Sequence, residues 1–254
     1  MRRQVDIAGV VRLVDQVGVD SMVVYSRLGV ADADRVIHRQ AAYFLGIGHN
    51  LEWKLYAHDQ PADLHQRLLA HGFTDEDPEA IMALNLTELP PALSQLPSAR
   101  ICRCANPELM NDAISVYGAV WPQKVARLAQ RLNHTLRTAP QRLRVYVAYV
   151  DGEPVAVGRI HFSPHSAFAS LWGSATLQAF RGRGLYTQML AVRLQEAISR
   201  NVGAVTVDAG PMSRPIVSRL GFRLLTWAQA HRRQIDQGHG QGGELSGTGQ
   251  APGV

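Results

Sequence analysis

Residues Ala179 to Met189 read Ala-Phe-Arg-Gly-Arg-Gly-Leu-Tyr-Thr-Gln-Met, between a strand-like run and a helix-like run. Such a loop aims several backbone N–H groups at one place, at the positive end of a helix dipole, and so suits a phosphate or diphosphate. Gly182 and Gly184 let the main chain approach the anion, and the amides of Arg183 to Thr187 open the helix. Thr187 adds a hydroxyl, and Arg181 and Arg183 can screen the charge. Arg-Gly repeats also occur in disordered RNA-binding segments, but there they recur many times. Here the pattern occurs once, between two regular elements, which favours a phosphorylated cofactor and an enzyme.

Other residue groups invite chemical readings. Trp53-Lys54-Leu55-Tyr56-Ala57-His58-Asp59, with His71, suggests a metal or an acid–base pair. The spacing fits no metal-ligand pattern, so a packing or interface role is expected and no metal is called. Tyr56 and His58 would help shape a site if the amino-terminal part covers it. Cys102 and Cys104 are two apart and face one side of a strand; a disulfide there would be strained, and two thiols make a poor metal site. They are expected as buried, reduced thiols.

These groups sit in a chain of 254 residues with 46% hydrophobic and 19% charged residues, which is ordinary globular composition. The length allows one large domain or two modest ones. A formal net charge of +5 favours an anionic ligand. The arginines are scattered and form no lysine-rich face, so nucleic acid is an unfavoured partner. No apolar run approaches the ~18 residues of a membrane span, and no apolar core follows Arg2 and Arg3 as in a signal peptide. A cytoplasmic protein with no membrane partner is the expectation; the sequence does not show the oligomeric state.

The segment Leu89 to Pro97, with three prolines, reads as a linker between an amino-terminal part, 1–96, and a central part, 97–230. Residues 231–254 read as a tail, flexible from Gln234, because they are rich in Gly, Gln and Ser. In the central part, Ile101–Ala105 is a strand, and Asn106-Pro107-Glu108 gives an N-cap, a first-turn proline and a first-turn acid. A helix after Pro122, strands 143–150 and 154–162 joined at Asp151-Gly152, and a strand 168–177 precede the glycine loop. Helix 185–201, strand 204–208, helix 213–220 and strand 222–230 follow. The order is β-α-α-β-β-β-loop-α-β-α-β. The amino-terminal part reads as helices around 6–17 and 32–43, strand 52–56, helix 62–70 and strand 80–86. Both parts end as strand, proline, short helix, Gly-Phe, strand, a weak internal repeat.

This order, with Arg181-Gly182-Arg183-Gly184-Leu185-Tyr186, resembles the GNAT (GCN5-related N-acetyltransferase) superfamily. That family's diphosphate loop reads Gln/Arg-x-x-Gly-x-Gly/Ala; Arg181, Gly184 and Tyr186 fall on those positions, and Tyr186 departs from the small final residue. Ser213 to Phe222 resembles the family's closing helix with its Leu-Gly-Phe ending. The resemblance covers 97–230 and implies an α/β (α+β) fold with a mixed central sheet flanked by helices. Residues 1–96 would then be a smaller, degenerate half-domain of the same kind, without a cofactor loop.

The resemblance further implies acetyl-CoA, or a related acyl-CoA, as co-substrate, and N-acetyl transfer to a small-molecule or peptide amine by direct attack in a ternary complex. Ala175, Thr176 and Leu177 would pair with the pantetheine arm, and a strand amide would stabilise the charge developing on the thioester oxygen. Gly182 to Thr187, with Arg181 and Leu185 to Tyr186, would hold the diphosphate. Ser213 would cap the closing helix or touch the pantetheine arm.

An alkyl ammonium must lose a proton before attack, so a base is needed. The candidates are Asp208, His161 and His165, each with a plain alternative: a turn cap, a polar strand end and a solvated turn residue. The family's acid tyrosine corresponds to Val217, with Ser218 as a neighbouring substitute. Its frequent glutamate on the strand before the loop is also missing; Trp172, Ser174 and Thr176 stand there. Trp172 and Trp121 could wall an acceptor pocket or belong to the core. These gaps keep a second reading open, a non-catalytic acyl-CoA sensor.

Overall fold

The computed structural model describes residues 1–6, 9–95, 97–164 and 166–235. The amino-terminal part comprises β1 (Arg2–Asp6), β2 (Val10–Val14), β3 (Asp20–Ser26), α1 (Ala33–Gly46), β4 (Asn50–Tyr56), α2 (Leu64–Ala70), β5 (Thr74–Asp75) and β6 (Glu79–Asn85). The helix expected around 6–17 is instead the β1–β2 pair. Gly9, at φ 70°, makes the turn, and Val10, Val11 and Val14 favour extended backbone. The three-proline segment contains the short helix α3 (Pro91–Ser94), and Leu93 is wholly buried against the core. α3 is thus packed rather than free.

The central part runs β7 (Arg100–Arg103), α4 (Pro107–Val120), α5 (Val125–Thr138), β8 (Leu143–Val150), β9 (Glu153–Phe162), β10 (Phe168–Thr176), α6 (Leu185–Ser199), β11 (Ala204–Ala209), α7 (Arg214–Arg219) and β12 (Arg223–Arg233). This is the order read from sequence. Asn106 caps α4 by accepting from the Leu109 amide at 2.9 Å. Asp151 and Gly152, at φ 50° and 84°, form the two-residue turn between β8 and β9. β12 continues to Arg233, past the expected boundary at 230, because Leu51 to Tyr56 pair along its edge. Residues 236–254, most of the expected tail, and His165 lie outside the described residues.

All twelve strands join one sheet, in the order β1-β2-β3-β4-β12-β6-β11-β10-β9-β8-β7, with β5 also beside β12. β3/β4 and β10/β11 are parallel; every other pairing is antiparallel. The two parts are interleaved. β4 of the amino-terminal part pairs with β12 of the central part, and β11 of the central part pairs with β6 of the amino-terminal part. β6 and β12 then pair with each other.

The repeat seen in sequence is matched at the ends of α2 and α7. Gly72 and Gly221 follow these helices at φ 79° and 87°. Phe73 N donates to Leu68 O at 3.2 Å, and Phe222 N to Val217 O at 3.0 Å. This is one capping motif used twice, with each phenylalanine buried in the adjoining core.

α6 packs on β8, β9 and β10, in one core with Met82, Leu84, Leu171 and Val205. α1 and α2 pack on Val23, Leu51 and Trp53. Each such large apolar side chain stabilises by about 1.5–3 kcal/mol when fully buried. Trp53 lies opposite His231, and Ala80 opposite Trp227. Strand alternation therefore puts α1, α2 and α6 on one face of the sheet. α4 and α5 cover Val145, Val147 and Val157 on the other face. On that second face Lys54, Tyr56, Glu79, Ile81 and Asp208 share the sheet centre, beside the part covered by α4 and α5. α5 reaches the amino-terminal part, where Arg127 pairs with Asp20 at 3.2 Å and Arg131 approaches Asp15 at 3.9 Å.

Candidate active site

Gly182 and Gly184 take φ values of 76° and 74°, which only glycine adopts at low cost. α6 starts directly after Gly184, and its first amide in a helical bond is Gln188 N, to Gly184 O at 3.1 Å. Among the described residues, the amides from Gly182 to Thr187 have no hydrogen-bond partner. Arg181 Nε donates to Thr176 O at 3.2 Å, and an Arg183 Nη to Ala179 O at 3.2 Å, so both arginines also brace the loop. Gln188 accepts from the Ala99 amide at 2.8 Å and ties the first turn of α6 to the chain before β7. Leu185 is buried in the core and anchors the helix rather than facing a ligand. Tyr186 is half-buried and packs against the same core, and burial pushes its hydroxyl pKa up. A large residue is accommodated there because its ring turns inward.

Beside the loop, β10 and β11 part company. Their pairing runs from Phe168/Ala204 to Leu171/Val207 and stops, although both strands continue. On its other edge β10 carries a bulge between Trp172 and Ala175, with Gly173 at φ 54°. A Cβ on Gly173 would collide with the Arg159 guanidinium and crowd the Tyr117 hydroxyl. Leu177 N is already committed to Val155 O at 2.9 Å. Alternation turns the Thr176 amide the other way, into the gap between β10 and β11. A wedge thus opens from the sheet interior toward the glycine loop.

Asp208 lies on β11 just past the last β10/β11 pair. It accepts a hydrogen bond from Lys54 Nζ of β4, so it is an ion-pair partner rather than a turn cap. The Lys54 ammonium also lies 5.6 Å from the Trp172 ring and 5.8 Å from the Tyr56 ring. Burial alone would lower the Lys54 pKa; the charge and hydrogen bond of Asp208 outweigh it and hold the ammonium above its usual value. Burial, then the Asp208 charge, raises Glu79. Burial raises Tyr56 against the opposing pull of Lys54. Trp172 is 39% exposed and forms a wall of this cluster, not core. Trp121 stacks on the buried Tyr117 at 5.7 Å and belongs to the α4–α5 core.

The remaining candidates scatter. His161 sits opposite Ser170 on the same face, further along β9. Burial, aided by the Arg159 charge, drives its pKa down to about 3, so the imidazole is neutral. Ser218 is exposed on α7, while Val217 beside it is wholly buried in the α6 core. Ser213 stands at the α7 N-cap without making a side-chain cap bond; its hydroxyl donates to Gly210 O at 3.4 Å. His58 stacks on Tyr56 and reaches Thr226 at 3.2 Å, whereas His71 pairs with Asp34 and Asp59 accepts from the Tyr56 amide. These groups make separate local contacts, His58 to β12 and the others within the amino-terminal part, and do not converge. Cys104 is buried, with its thiol pushed up to about 12 by burial, and Cys102 is half-buried; both are free thiols.

Sequence reasoning missed Lys54. Its only signal was alternation within Trp53-Lys54-Leu55-Tyr56, which sets Lys54 and Tyr56 on one strand face; nothing local shows that Asp208 lies within reach.

Residues 106–222 match the acetyltransferase (GNAT) family. This segment is a GNAT domain. It contains the glycine loop, the strand wedge and Asp208, and leaves Lys54, Tyr56 and Glu79 outside. By structure the chain is similar to a functionally unknown conserved protein from Staphylococcus epidermidis, at 15% identity and TM-score 0.71 over 92% of this chain and 94% of that one. It is also similar to a GCN5-related N-acetyltransferase from Kribbella flavida, at 18% identity and TM-score 0.68, over 96% and 91%. A tandem GNAT protein from the clavulanic acid biosynthesis pathway is similar at 16% identity and TM-score 0.60, over 88% and 78%. No curated protein matches by sequence. At these identities the structural likeness shows a shared fold. The GNAT-type mixed sheet flanked by helices thus extends through nearly the whole chain. No helix among the described residues is long and apolar enough to cross a membrane.

Proposed function

We propose that the protein is an acyl-CoA-dependent N-acyltransferase whose cleft is the wedge between β10 and β11. The observation that carries this reading is the row of partnerless amides from Gly182 to Thr187 at the start of α6, next to a strand gap inside a GNAT domain. The donor set fits a diphosphate, since backbone N–H groups and two arginines offer only hydrogen-bond donors and positive charge. Acetyl-CoA, when bound, supplies an acyl thioester. Gly182, Gly184 and the amides up to Thr187 would hold its diphosphate, with Arg181 and Arg183 screening. Ala175 and Thr176 would face its pantetheine arm, with Ser213 at the far side.

The acceptor would be a small-molecule or peptide amine entering over Trp172 and Tyr56. Asp208 is the carboxylate best placed to receive its ammonium and take a proton through water. His161 would serve as a neutral polar wall and Ser218 as a solvent-side group, because the first is too weakly basic and the second points outward. Residues 1–96 and 97–230 would be two halves related by the repeat, with the first lending Lys54 and Tyr56 to the cleft of the second. No metal is invoked.

A second reading, a non-catalytic acyl-CoA sensor, is favoured by the commitment of Asp208 to Lys54 and by the burial of Val217. Calorimetry with CoA tests the shared premise: binding supports both readings, and no heat at tenfold excess over micromolar protein removes both. A panel of primary amines with acetyl-CoA, read by thiol release, then separates them.

A further inference from the structure

The Lys54 ammonium occupies a site with the chemistry of an amine receptor. One carboxylate, Asp208, accepts its hydrogen bond; Trp172 and Tyr56 lie 5.6 and 5.8 Å away as rings; and Glu79 adds a second negative group nearby. A carboxylate plus two aromatic faces is a recognised way to hold an alkyl ammonium. Lys54 is not part of the strands that frame the wedge. It arrives from β4, with β12 and β6 lying between β4 and β11 in the sheet. Its side chain is 14% exposed and that of Asp208 13%, so the pair is largely buried yet keeps contact with solvent.

We propose that Lys54 is a resident competitor for the acceptor: its ε-ammonium fills the ammonium subsite formed by Asp208, Trp172 and Tyr56, and an incoming primary amine must displace it. Lys54 is thus a specificity-determining residue. It makes the subsite selective for amines that carry a further binding group, because a bare alkyl ammonium offers Asp208 nothing that Lys54 does not already supply at high effective concentration. The proposal rests on the reading of the wedge as the acyl-transfer cleft, and names what occupies the acceptor end of it.

The test uses the full chain with n-butylammonium as the probe. Lys54→Met keeps the aliphatic stem and removes the charge; Lys54→Arg keeps a resident cation. Expected is binding of the probe to Lys54→Met at least about tenfold tighter than to the parent chain, with Lys54→Arg close to the parent. Adding Asp208→Asn to Lys54→Met should abolish the gain. Equal or weaker probe binding by Lys54→Met would overturn the proposal, as would a gain that survives Asp208→Asn. CoA binding, measured in parallel, keeps the two readings apart. If CoA binds every variant and the probe shows no gain, Lys54 is no competitor and the cleft assignment stands. If CoA binds none, including the parent, the cleft assignment itself fails. Thermal unfolding of each variant verifies that the chain compared is folded. Should Lys54→Met unfold, Lys54→Gln carries the same expectation.

Discussion

Lys54 and Asp208 join across two intervening strands: the lysine stands on β4, the aspartate on β11, and β12 and β6 run between them. Such a contact on one face requires the sheet to curl around that face, since flat neighbours three strands apart lie about 14 Å from each other. The ion pair therefore fastens β4 of the amino-terminal part to β11 of the GNAT domain.

This pair should make stability sensitive to alkali. Lys54 has a folded pKa raised above its usual value, so its contribution is fully present below the unfolded value and is lost as pH rises through the folded one. Thermal midpoints of the parent chain should fall above about pH 10.5, and Lys54→Met should lose that part of the decline. At neutral pH the substitution should cost about 1–3 kcal/mol, between the exposed and buried limits for ion pairs. Urea titration gives the number.

The glycine loop predicts a separation of affinity from stability. Gly182→Ala meets no neighbouring atom and suffers only from its φ of 76°, a strain of about 1–2 kcal/mol. Because the amides it orients are the proposed diphosphate donors, CoA affinity should fall by more than the same energy lost from folding. Calorimetry and denaturant unfolding on one variant compare the two.

His161 yields an acid-side prediction. Its pKa is driven down to about 3 in the fold, so the unfolded chain binds the extra proton first as pH falls. The stability it contributes is present above its usual value near 6.5 and is lost on acidification toward 3. His161→Leu should flatten the acid limb of stability between those values. The same variant should leave any activity between pH 6 and 8 without the loss of a titrating base. A bell-shaped rate profile that vanishes in His161→Leu would contradict the neutral-wall role.

Val217 marks where the family's tyrosine is absent. Its side chain is wholly buried in the α6 core. Val217→Tyr should therefore overpack that core and cost about 1–3 kcal/mol, with no gain in rate. A faster variant of unchanged stability would show that a hydroxyl can reach the cleft from α7.

Arg193 lies fully buried in α6, donating to Met189 O and Arg159 O, while Gly158 leaves room for its guanidinium. A Cβ at position 158 would stand 2.9 Å from the Arg193 Cζ. Gly158→Ala should be destabilising by about 1–3 kcal/mol in the parent and nearly neutral beside Arg193→Met. A double-mutant cycle measures that coupling.

The central part was legible because its signals are local: Asn106 as a cap, Asp151-Gly152 as a turn, and glycines whose spacing fixes a helix start. The interleaving was not. Nothing in Glu79–Asn85 states that the strand will lie between β11 and β12, because strand partners are chosen by long-range packing. β1 and β2 were hidden by the even spread of Val10, Val11, Leu13 and Val14, a short apolar run that suits either period. Asp208 was singled out because it ends the strand beside the expected thioester position, but its engagement by Lys54 depends on the curl of the sheet. The amine subsite was illegible for that reason.

The exchange of β6 and β12 governs how the chain can mature. Leu51 pairs with Arg233, so the edge of β4 stays unfilled until residue 233 has been synthesised. The amino-terminal half therefore leaves the ribosome with an open strand edge, the kind of surface that invites pairing with another chain. Neither part, cut near residue 96, retains all the neighbours that its own strands pair with. Closing the sheet depends on these non-local pairings, which makes slow folding and a need to protect nascent β4 the expected cost of interleaving the two parts.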